Sequence, residues 1–138
     1  MRKLAVLVFT FGVGACATAP VRPSDAEQVT PLMHASQAAG TVPVTVTRDG
    51  GGQGMGCQID VQIEGETVGT LWRRQTLTVH LPPGETIVSV KPRSPCGLMD
   101  TGRGLREAEV NLREGRPLYF RVGFDANGLV SFSRTGLR

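Results

Sequence analysis

Apolar and polar residues alternate along most of the chain after Gly40, and this period of two constrains the fold more than any other feature. Successive side chains of a β-strand point to opposite faces of its sheet, so the alternation predicts strands with one buried face. By this pattern about eight strands are present, at residues 42–46, 59–63, 67–72, 76–81, 87–90, 108–112, 118–124 and 130–132. Turn residues separate them and no crossover helix intervenes. The sequence therefore predicts an all-β domain over residues 41–138, a small antiparallel β-sandwich of seven or eight strands, with a small open barrel as the alternative.

The first residues are typical of a secretory signal. Arg2 and Lys3 precede an apolar run from Leu4 to Gly14, which is the order of charge and hydropathy in such signals. The run is well short of the roughly 20 residues that a membrane-spanning helix needs. We therefore expect residues 1–15 to be removed during export and not to form a permanent transmembrane anchor.

The end of this signal resembles the lipobox of bacterial lipoproteins. Small residues precede a cysteine in the segment Val13-Gly14-Ala15-Cys16, and in lipoproteins with this pattern the cysteine carries diacylglycerol and begins the mature chain. The resemblance implies that Cys16 is lipidated. Ala17 follows it in place of the aspartate that retains lipoproteins at the inner membrane of enteric bacteria, so the implied destination is the inner leaflet of the outer membrane, facing the periplasm. Ordinary secretion, with cleavage between Ala15 and Ala19, is the alternative.

Residues 16–40 are predicted to connect the lipid to the β domain. From Ala17 to Thr30 the residues are mostly small or polar and include two prolines, a composition that favours an extended tether. Thr30 and Pro31 then resemble the start of a helix, and Gly40 its end. The sequence therefore predicts a tether followed by a short helix.

Two cysteines, Cys57 and Cys96, remain once Cys16 is assigned to lipid. An even number of cysteines in an oxidising compartment favours a disulfide. A bond between them would close a loop of about 40 residues and stabilise the fold by roughly 4 kcal/mol in the chain-entropy treatment. The alternative is a redox-active pair, although such pairs usually have two residues between the cysteines.

The charge balance gives no indication of a nucleic-acid partner. The chain has 15 basic and 12 acidic residues, and two of the basic ones, Arg2 and Lys3, belong to the predicted signal. The mature chain is therefore close to neutral, without the strongly basic character of many nucleic-acid-binding domains. A membrane reached through the lipid and an envelope or effector protein are the predicted partners.

A glycine-rich stretch follows Arg48 and Asp49, and we consider it the first candidate for partner contact. Phosphate-binding glycine loops lead into a helix, whereas this stretch leads into the strand at Ile59. It is either a connecting loop or a surface that contacts a partner. The candidate residues are Gly51, Gly52, Gln53, Gly54 and Met55.

Trp72, Arg73 and Arg74 form the second candidate for partner contact. An aromatic residue beside two cations at a strand end could bind anionic lipid headgroups, lipopolysaccharide phosphates or an acidic protein. The alternative is a solvated turn, with Trp72 partly in the core. Acidic residues interleaved with the basic ones favour this alternative.

No pattern in the sequence indicates catalysis, a metal or another cofactor. His34 and His80 lie in separate elements without the ligand spacing of metal sites, and no G-x-S-x-G or S-x-x-K motif is present. Several carboxylates could meet in space, but a solvated strand face explains them better. These carboxylates are Asp60, Glu64, Glu66, Asp100, Glu107 and Glu109.

The order of several segments resembles that of Gram-negative lipoproteins with the domain of unknown function 2846, whose domains are similar to PEGA-type, immunoglobulin-like β-sandwiches. The matching segments are the Arg48-Asp49 strand end, the glycine run to Cys57, V-Q-I-E-G-E-T-V-G from Val61, L-P-P-G-E from Leu81 and P-L-Y-F-R-V from Pro117. The family often has His after the Pro-Gly turn, where this chain has Glu85-Thr86. The resemblance implies a fold and a location in the cell envelope, but no activity.

Three functional hypotheses follow. The first is a non-enzymatic envelope lipoprotein whose β-sandwich acts as a binding or structural module. The second is an immunity or exclusion lipoprotein that neutralises a periplasmic effector or a phage protein. The third is a hydrolase of peptidoglycan or lipid, which needs convergent carboxylates or an activated serine. The first accounts best for the motifs above.

Overall fold

A computed structural model describes residues 18–52, 54, 56–93 and 104–136 of the 138-residue chain. Its regular elements are one 3-10 helix at Pro23–Asp25 and the strands β1 Glu27–Gln28, β2 Val42–Arg48, β3 Ile59–Ile63, β4 Glu66–Leu71, β5 Gln75–Leu81, β6 Gly84–Pro92, β7 Arg106–Leu112, β8 Leu118–Phe124 and β9 Val130–Arg134. β2 to β9 correspond to the eight segments that alternation predicts. The two-residue strand β1 was not predicted.

The strands form two sheets, which confirms the predicted β-sandwich. One sheet has the order β1-β5-β2-β8-β9 and the other has the order β4-β3-β6-β7. The pairings within the four-stranded sheet are antiparallel. In the five-stranded sheet, β1 pairs with β5 in parallel and β2 pairs with β8 in parallel. The parallel β2–β8 pairing places the ends of both strands, Arg48 and Phe124, at the same end of the sandwich.

The core consists of the inward-facing residues of both sheets. Because apolar residues alternate along each strand, one face of each sheet is apolar and the two faces pack together. The fully buried members come from β2 to β6 and β8, and they include Val42, Val44, Val46, Ile59, Val61, Leu71, Leu77, Val79, Val88, Val90 and Val122. Phe120 and Phe132 stack beside them with ring centroids 4.9 Å apart.

The segment from Thr18 to Gln28 packs against the five-stranded sheet and does not form the predicted tether. Val21 is buried, and Ala19 pairs with Gly50 as an antiparallel bridge. The backbone N–H of Glu27 donates to Arg74 O at 2.9 Å. Apolar burial at Val21 and backbone pairing at the sheet edge stabilise this arrangement, which a composition of small residues and prolines does not reveal.

The helix predicted between Thr30 and Gly40 is wrong. The Leu32 N–H donates to Val68 O of β4 at 2.7 Å, and His34 O accepts from the His80 N–H of β5 at 2.8 Å. His34 has a φ of 58°, outside the right-handed helical region. Backbone groups that a helix would pair internally are instead paired with strands of both sheets. This segment therefore covers the side of the sandwich where β4 and β5 would otherwise expose unpaired edges.

Candidate functional site at the loop end of the sandwich

One end of the sandwich brings together the two candidate regions that the sequence identifies. We call it the loop end, and it consists of the glycine-rich segment 50–57, the 72–74 turn between β4 and β5, and the 125–129 turn between β8 and β9. The glycine-rich segment follows β2, and the other two turns lie at strand ends beside it. The glycine-rich segment and the 72–74 turn are in direct contact, as shown below.

Arg48 holds the glycine-rich segment from inside the sandwich. It continues the inward-facing series of β2 after Val46, and only 1% of its surface is exposed. Its Nη1 donates to the carbonyls of Cys57 and Leu71, and its Nη2 donates to Gly54 O at 2.6 Å. These hydrogen bonds join β2, the glycine-rich segment and the end of β4. They satisfy carbonyl groups that would be costly to bury unpaired.

The charge of Arg48 is held in an unusual environment. Its guanidinium carbon lies 5.5 Å from the centroid of the Phe124 ring, within cation–π range. Burial, together with repulsion from Arg73, lowers the pKa of Arg48 to about 10. The side chain therefore stays charged at neutral pH, and its charge is stabilised by backbone carbonyls and an aromatic face.

The turn at Trp72–Arg74 connects the two sheets and exposes its side chains. Trp72 is 46% exposed. Its backbone N–H donates to Gln75 Oε1 at 2.8 Å, and Arg74 has a positive φ of 61°. The side chains of Arg73 and Arg74 are also exposed. The turn thus presents an aromatic ring and two cations to the surroundings, as the second candidate requires.

Direct contacts join this turn to the glycine-rich segment. Arg73 Nη1 donates to Gly51 O at 3.1 Å, and a Cβ at Gly50 would lie 3.6 Å from Arg74 Cγ. Arg48 holds the same segment from the opposite side. Gly52 is exposed between these contacts. The structure therefore brings Gly51, Gly52 and Gly54 together with the 72–74 turn.

Asp49 fastens the entering chain to the loop end. Its carboxylate pairs with Arg121 at two points, with Arg121 Nη2 to Oδ2 at 2.6 Å and Nε to Oδ1 at 3.1 Å. It also accepts a hydrogen bond from the Val21 N–H at 3.3 Å. Only 6% of Asp49 is exposed, and paired geometry of this kind is the strong form of an ion pair.

Several predicted site residues lie outside the described residues. These are the predicted lipidation site Cys16, the loop residues Gln53 and Met55, and the predicted disulfide partner Cys96. Cys57 is half-buried and packs against the core. The pairing of Cys57 with Cys96 and the lipidation of Cys16 therefore stay predictions.

Arg48, Asp49 and Arg121 are functional candidates that motif analysis missed. In the sequence, Arg48 and Asp49 stand out only as the residues that precede the glycine-rich stretch. A signal for Arg48 is nevertheless present, because it follows Val42, Val44 and Val46 at the same two-residue period and so belongs to the inward face. No comparable sequence signal identifies the pairing of Asp49 with Arg121, which are far apart in sequence.

The opposite end of the sandwich carries an open groove of about 440 Å³, lined by Glu64, Glu85, Thr86, Ile87, Glu109, Val110 and Asn111. Glu64 begins the turn to β4, one residue earlier than the predicted turn at Gly65-Glu66. Its carboxylate accepts from the Thr86 hydroxyl and the Ile87 N–H, both at 2.7 Å. These hydrogen bonds, with that from Thr86 the larger, lower the pKa of Glu64. A general acid needs the opposite shift, so Glu64 is not suited to that role.

The two histidines meet through their backbones, by the hydrogen bond from the His80 N–H to His34 O. His34 is exposed and His80 is half-buried. Among the residues that the structure describes, no group of three or more His, Cys, Asp or Glu side chains is placed to hold a metal ion.

No model of a known protein family matches the chain. No curated protein matches it either. The resemblance to lipoproteins with the domain of unknown function 2846 therefore stays a prediction. In the described ranges, no helix is both long and apolar enough to cross a membrane.

Proposed function

We propose that this chain is a non-enzymatic lipoprotein of the outer membrane, anchored through Cys16 in the inner leaflet and facing the periplasm. Its β-sandwich is a binding or structural module of the cell envelope. The lipobox-like segment before Cys16 supports the anchor. The architecture of the loop end supports the binding role.

The observation that carries the binding role is the way in which the loop end is built. Arg48 holds Gly54 and Leu71 from inside, and Arg73 holds Gly51 from outside. The backbone is thus held at Gly51, Gly54 and Leu71 before a ligand arrives, which lowers the entropy cost of binding. Trp72 and Arg74 remain exposed on this fixed frame, and aromatic and arginine side chains are the residue types enriched at binding hot spots.

Site-specific photocrosslinking in intact envelopes tests this proposal. A photoreactive residue replaces exposed Gly52 in one variant and exposed Arg113, at the opposite end, in a second. We expect one defined adduct from position 52 and a weaker or different pattern from position 113. The adduct from position 52 should be lost when Trp72→Ala and Arg73→Ala are added.

The identity of the crosslinked molecule then distinguishes the hypotheses. An adduct with a resident envelope component supports the module, whereas an adduct with a toxin or phage protein supports the immunity role. Equal, non-specific adducts from positions 52 and 113, unchanged by Trp72→Ala, would contradict a binding role for the loop end.

A further inference from the structure

We infer that the loop end of the sandwich lies against an anionic phospholipid surface, with Trp72, Arg73 and Arg74 in contact with the headgroups. The inference rests on the proposed lipidation of Cys16, and it names the ligand class of the surface described above. That ligand is the membrane which holds the lipid anchor.

The chain enters the domain at the loop end. Thr18 Oγ1 donates to Phe124 O at 3.2 Å. Ala19 and Gly50 exchange two backbone hydrogen bonds, of 3.2 and 2.8 Å. Cys16 precedes Thr18 by two residues, which span at most about 7 Å when fully extended. A lipid on Cys16 therefore enters the bilayer directly beside the loop end.

The entering segment is attached to the domain at several points, whereas a free tether would let the domain rotate. Val21 is buried, and its N–H donates to Asp49, which pairs with Arg121. Further along, the Glu27 N–H donates to Arg74 O. The segment is thus held at the glycine-rich segment and again at the 72–74 turn. To turn another face toward the membrane, the domain would have to break these contacts.

The exposed side chains of the loop end match a bilayer interface. Four large apolar side chains are exposed in the part of the chain that the structure describes. Trp72 and Leu129 belong to the loop end, and Leu105 lies beside it, because the Nε of the next residue, Arg106, donates to Val130 O at 3.0 Å. Tryptophan favours the headgroup region, where its ring meets apolar chains and its N–H meets water. Arg73 and Arg74 stand beside Trp72 and complement anionic headgroups.

Among the described residues of the loop end, cations outnumber the carboxylates that keep their charge there, because Arg48, Arg73 and Arg74 stand against Asp125 and Glu27 besides the neutral Asp49–Arg121 pair. Asp49 pairs with Arg121. Asp125 accepts hydrogen bonds from the Asn127 and Leu129 N–H groups, at 2.8 and 2.9 Å. Glu27 accepts from Gln75 Nε2 at 3.1 Å.

The opposite end is acidic, because among the residues described there the exposed glutamates outnumber the exposed cations Arg113 and Arg116; these glutamates are Glu64, Glu66, Glu85, Glu109 and Glu114. Glu64, Glu85 and Glu109 line its groove, and β2, a strand of seven residues, separates the two ends by about 20 Å. The near-neutral domain therefore has an uneven charge distribution along its long axis. An anionic membrane favours the orientation in which the loop end faces it and the acidic groove faces the periplasm.

Fluorescence of the full lipidated protein in vesicles tests the inference. Trp72 is the single tryptophan of the chain, so its emission reports on the loop end. The protein is reconstituted into vesicles of phosphatidylcholine, with or without phosphatidylglycerol, in which some lipids are brominated just below the headgroup. We expect a blue-shifted emission that brominated lipid quenches, more strongly with phosphatidylglycerol and less strongly at high salt.

Variants that remove charge test how much the arginines contribute to docking on the vesicles. Arg73→Gln with Arg74→Gln lowers the ratio of docked to undocked domain on anionic vesicles by about 30-fold, or about fivefold per arginine. Arg113→Gln with Arg116→Gln, at the opposite end, is the matched control and leaves the quenching unchanged. Trp72→Phe with Arg116→Trp moves the reporter to that end, where we expect water-exposed emission without quenching.

Two outcomes overturn the inference and are distinguishable. If the protein floats with the vesicles but Trp72 is not quenched, the anchor is intact and the loop end does not face the bilayer. A protein crosslinked to position 52 in envelopes would then be the ligand of the loop end. If the wild-type protein from envelopes does not associate with vesicles at all, lipidation fails and the inference fails with it.

Discussion

The guanidinium carbon of Arg48 lies 5.5 Å from the centroid of the Phe124 ring, inside the sandwich. The same side chain donates hydrogen bonds to Cys57, Leu71 and Gly54 carbonyls. A charged residue thus occupies a core position and organises the loop end. Its removal should affect both the stability of the fold and the order of the glycine-rich segment.

Replacing Arg48 tests this organising role. We expect Arg48→Met to lower the free energy of unfolding by about 2–4 kcal/mol, because buried carbonyls lose their donors. Arg48→Lys should recover only part of this loss, since an ammonium cannot reproduce the planar, forked arrangement of donors. Urea denaturation measures both, with the exposed Arg113→Met as the control. A change below about 0.5 kcal/mol for Arg48→Met would contradict the account.

A methyl group at Gly54 should not be tolerated. Gly54 has a φ of 63°, and a Cβ there would lie 2.4 Å from Phe124 ring atoms. We expect Gly54→Ala to destabilise the domain by about 2–3 kcal/mol, through strain and overpacking. Gly52→Ala is the matched control, because nothing lies within 4 Å of its Cβ position. Thermal unfolding that is equal for the two variants would show that Gly54 does not pack as described.

The hydrogen bond from Thr86 should control the titration of Glu64. It is the larger cause of the lowered pKa of this carboxyl, ahead of the Ile87 N–H. Thr86→Val should therefore raise the pKa of Glu64 toward its ordinary value of 4.5, and Thr86→Ser, which keeps the hydroxyl, should not. Carbon NMR titration of the Glu64 carboxyl measures this. If the pKa of Glu64 is the same in Thr86→Val as in the wild type, the hydrogen bond from Thr86 is not what lowers it.

The lowered pKa of Glu64 also determines how the stability of the fold depends on pH. A carboxyl whose pKa is lower in the folded state binds its proton more readily when unfolded. Its stabilising contribution is present above the unfolded pKa and is lost as the pH falls through the folded pKa. Glu64→Gln should accordingly flatten the dependence of stability on pH at and below the ordinary pKa of glutamate. In the neutral range the slope of stability against pH should be the same for the variant and the wild type. Urea midpoints across this acidic range provide the check.

The predicted Cys57–Cys96 disulfide should contribute a large part of the stability. Cys57→Ser, Cys96→Ser and the double variant should each lose about 4 kcal/mol relative to the oxidised protein, since each opens the same loop of about 40 residues. A reductant should destabilise the wild type to the same degree and have no effect on the double variant. Alkylation of both thiols in the unreduced wild-type protein, seen by mass, would disprove the bond.

The eight strands β2 to β9 could be predicted from the sequence because each carries its own periodic signal. Val42, Val44 and Val46, for example, indicate a buried face without reference to any distant residue. Turn residues add local information, and the Glu64–Gly65 turn differs by only one residue from its predicted position. The fold class follows from such local signals, combined with the absence of crossover helices from the pattern.

The rest depends on contacts between distant residues, which a single sequence does not specify. The segment at Val21 resembles a tether by composition, but Asp49 and Gly50 pair with it. The start at Pro31 resembles a helix, but the Leu32 N–H pairs with Val68 of β4. The glycine-rich segment and the 72–74 turn were separate candidates, and their contact through Arg73 and Gly51 becomes visible only in the fold.

The intact mass of the protein extracted from envelopes shows whether the mature chain begins at a lipidated Cys16. For the wild type we predict the mass of residues 16–138 plus a diacylglyceryl group and an additional acyl chain, and for Cys16→Ser a mass without lipid. A wild-type mass that corresponds to an unmodified chain, with Cys16 absent or unlipidated, would contradict the account.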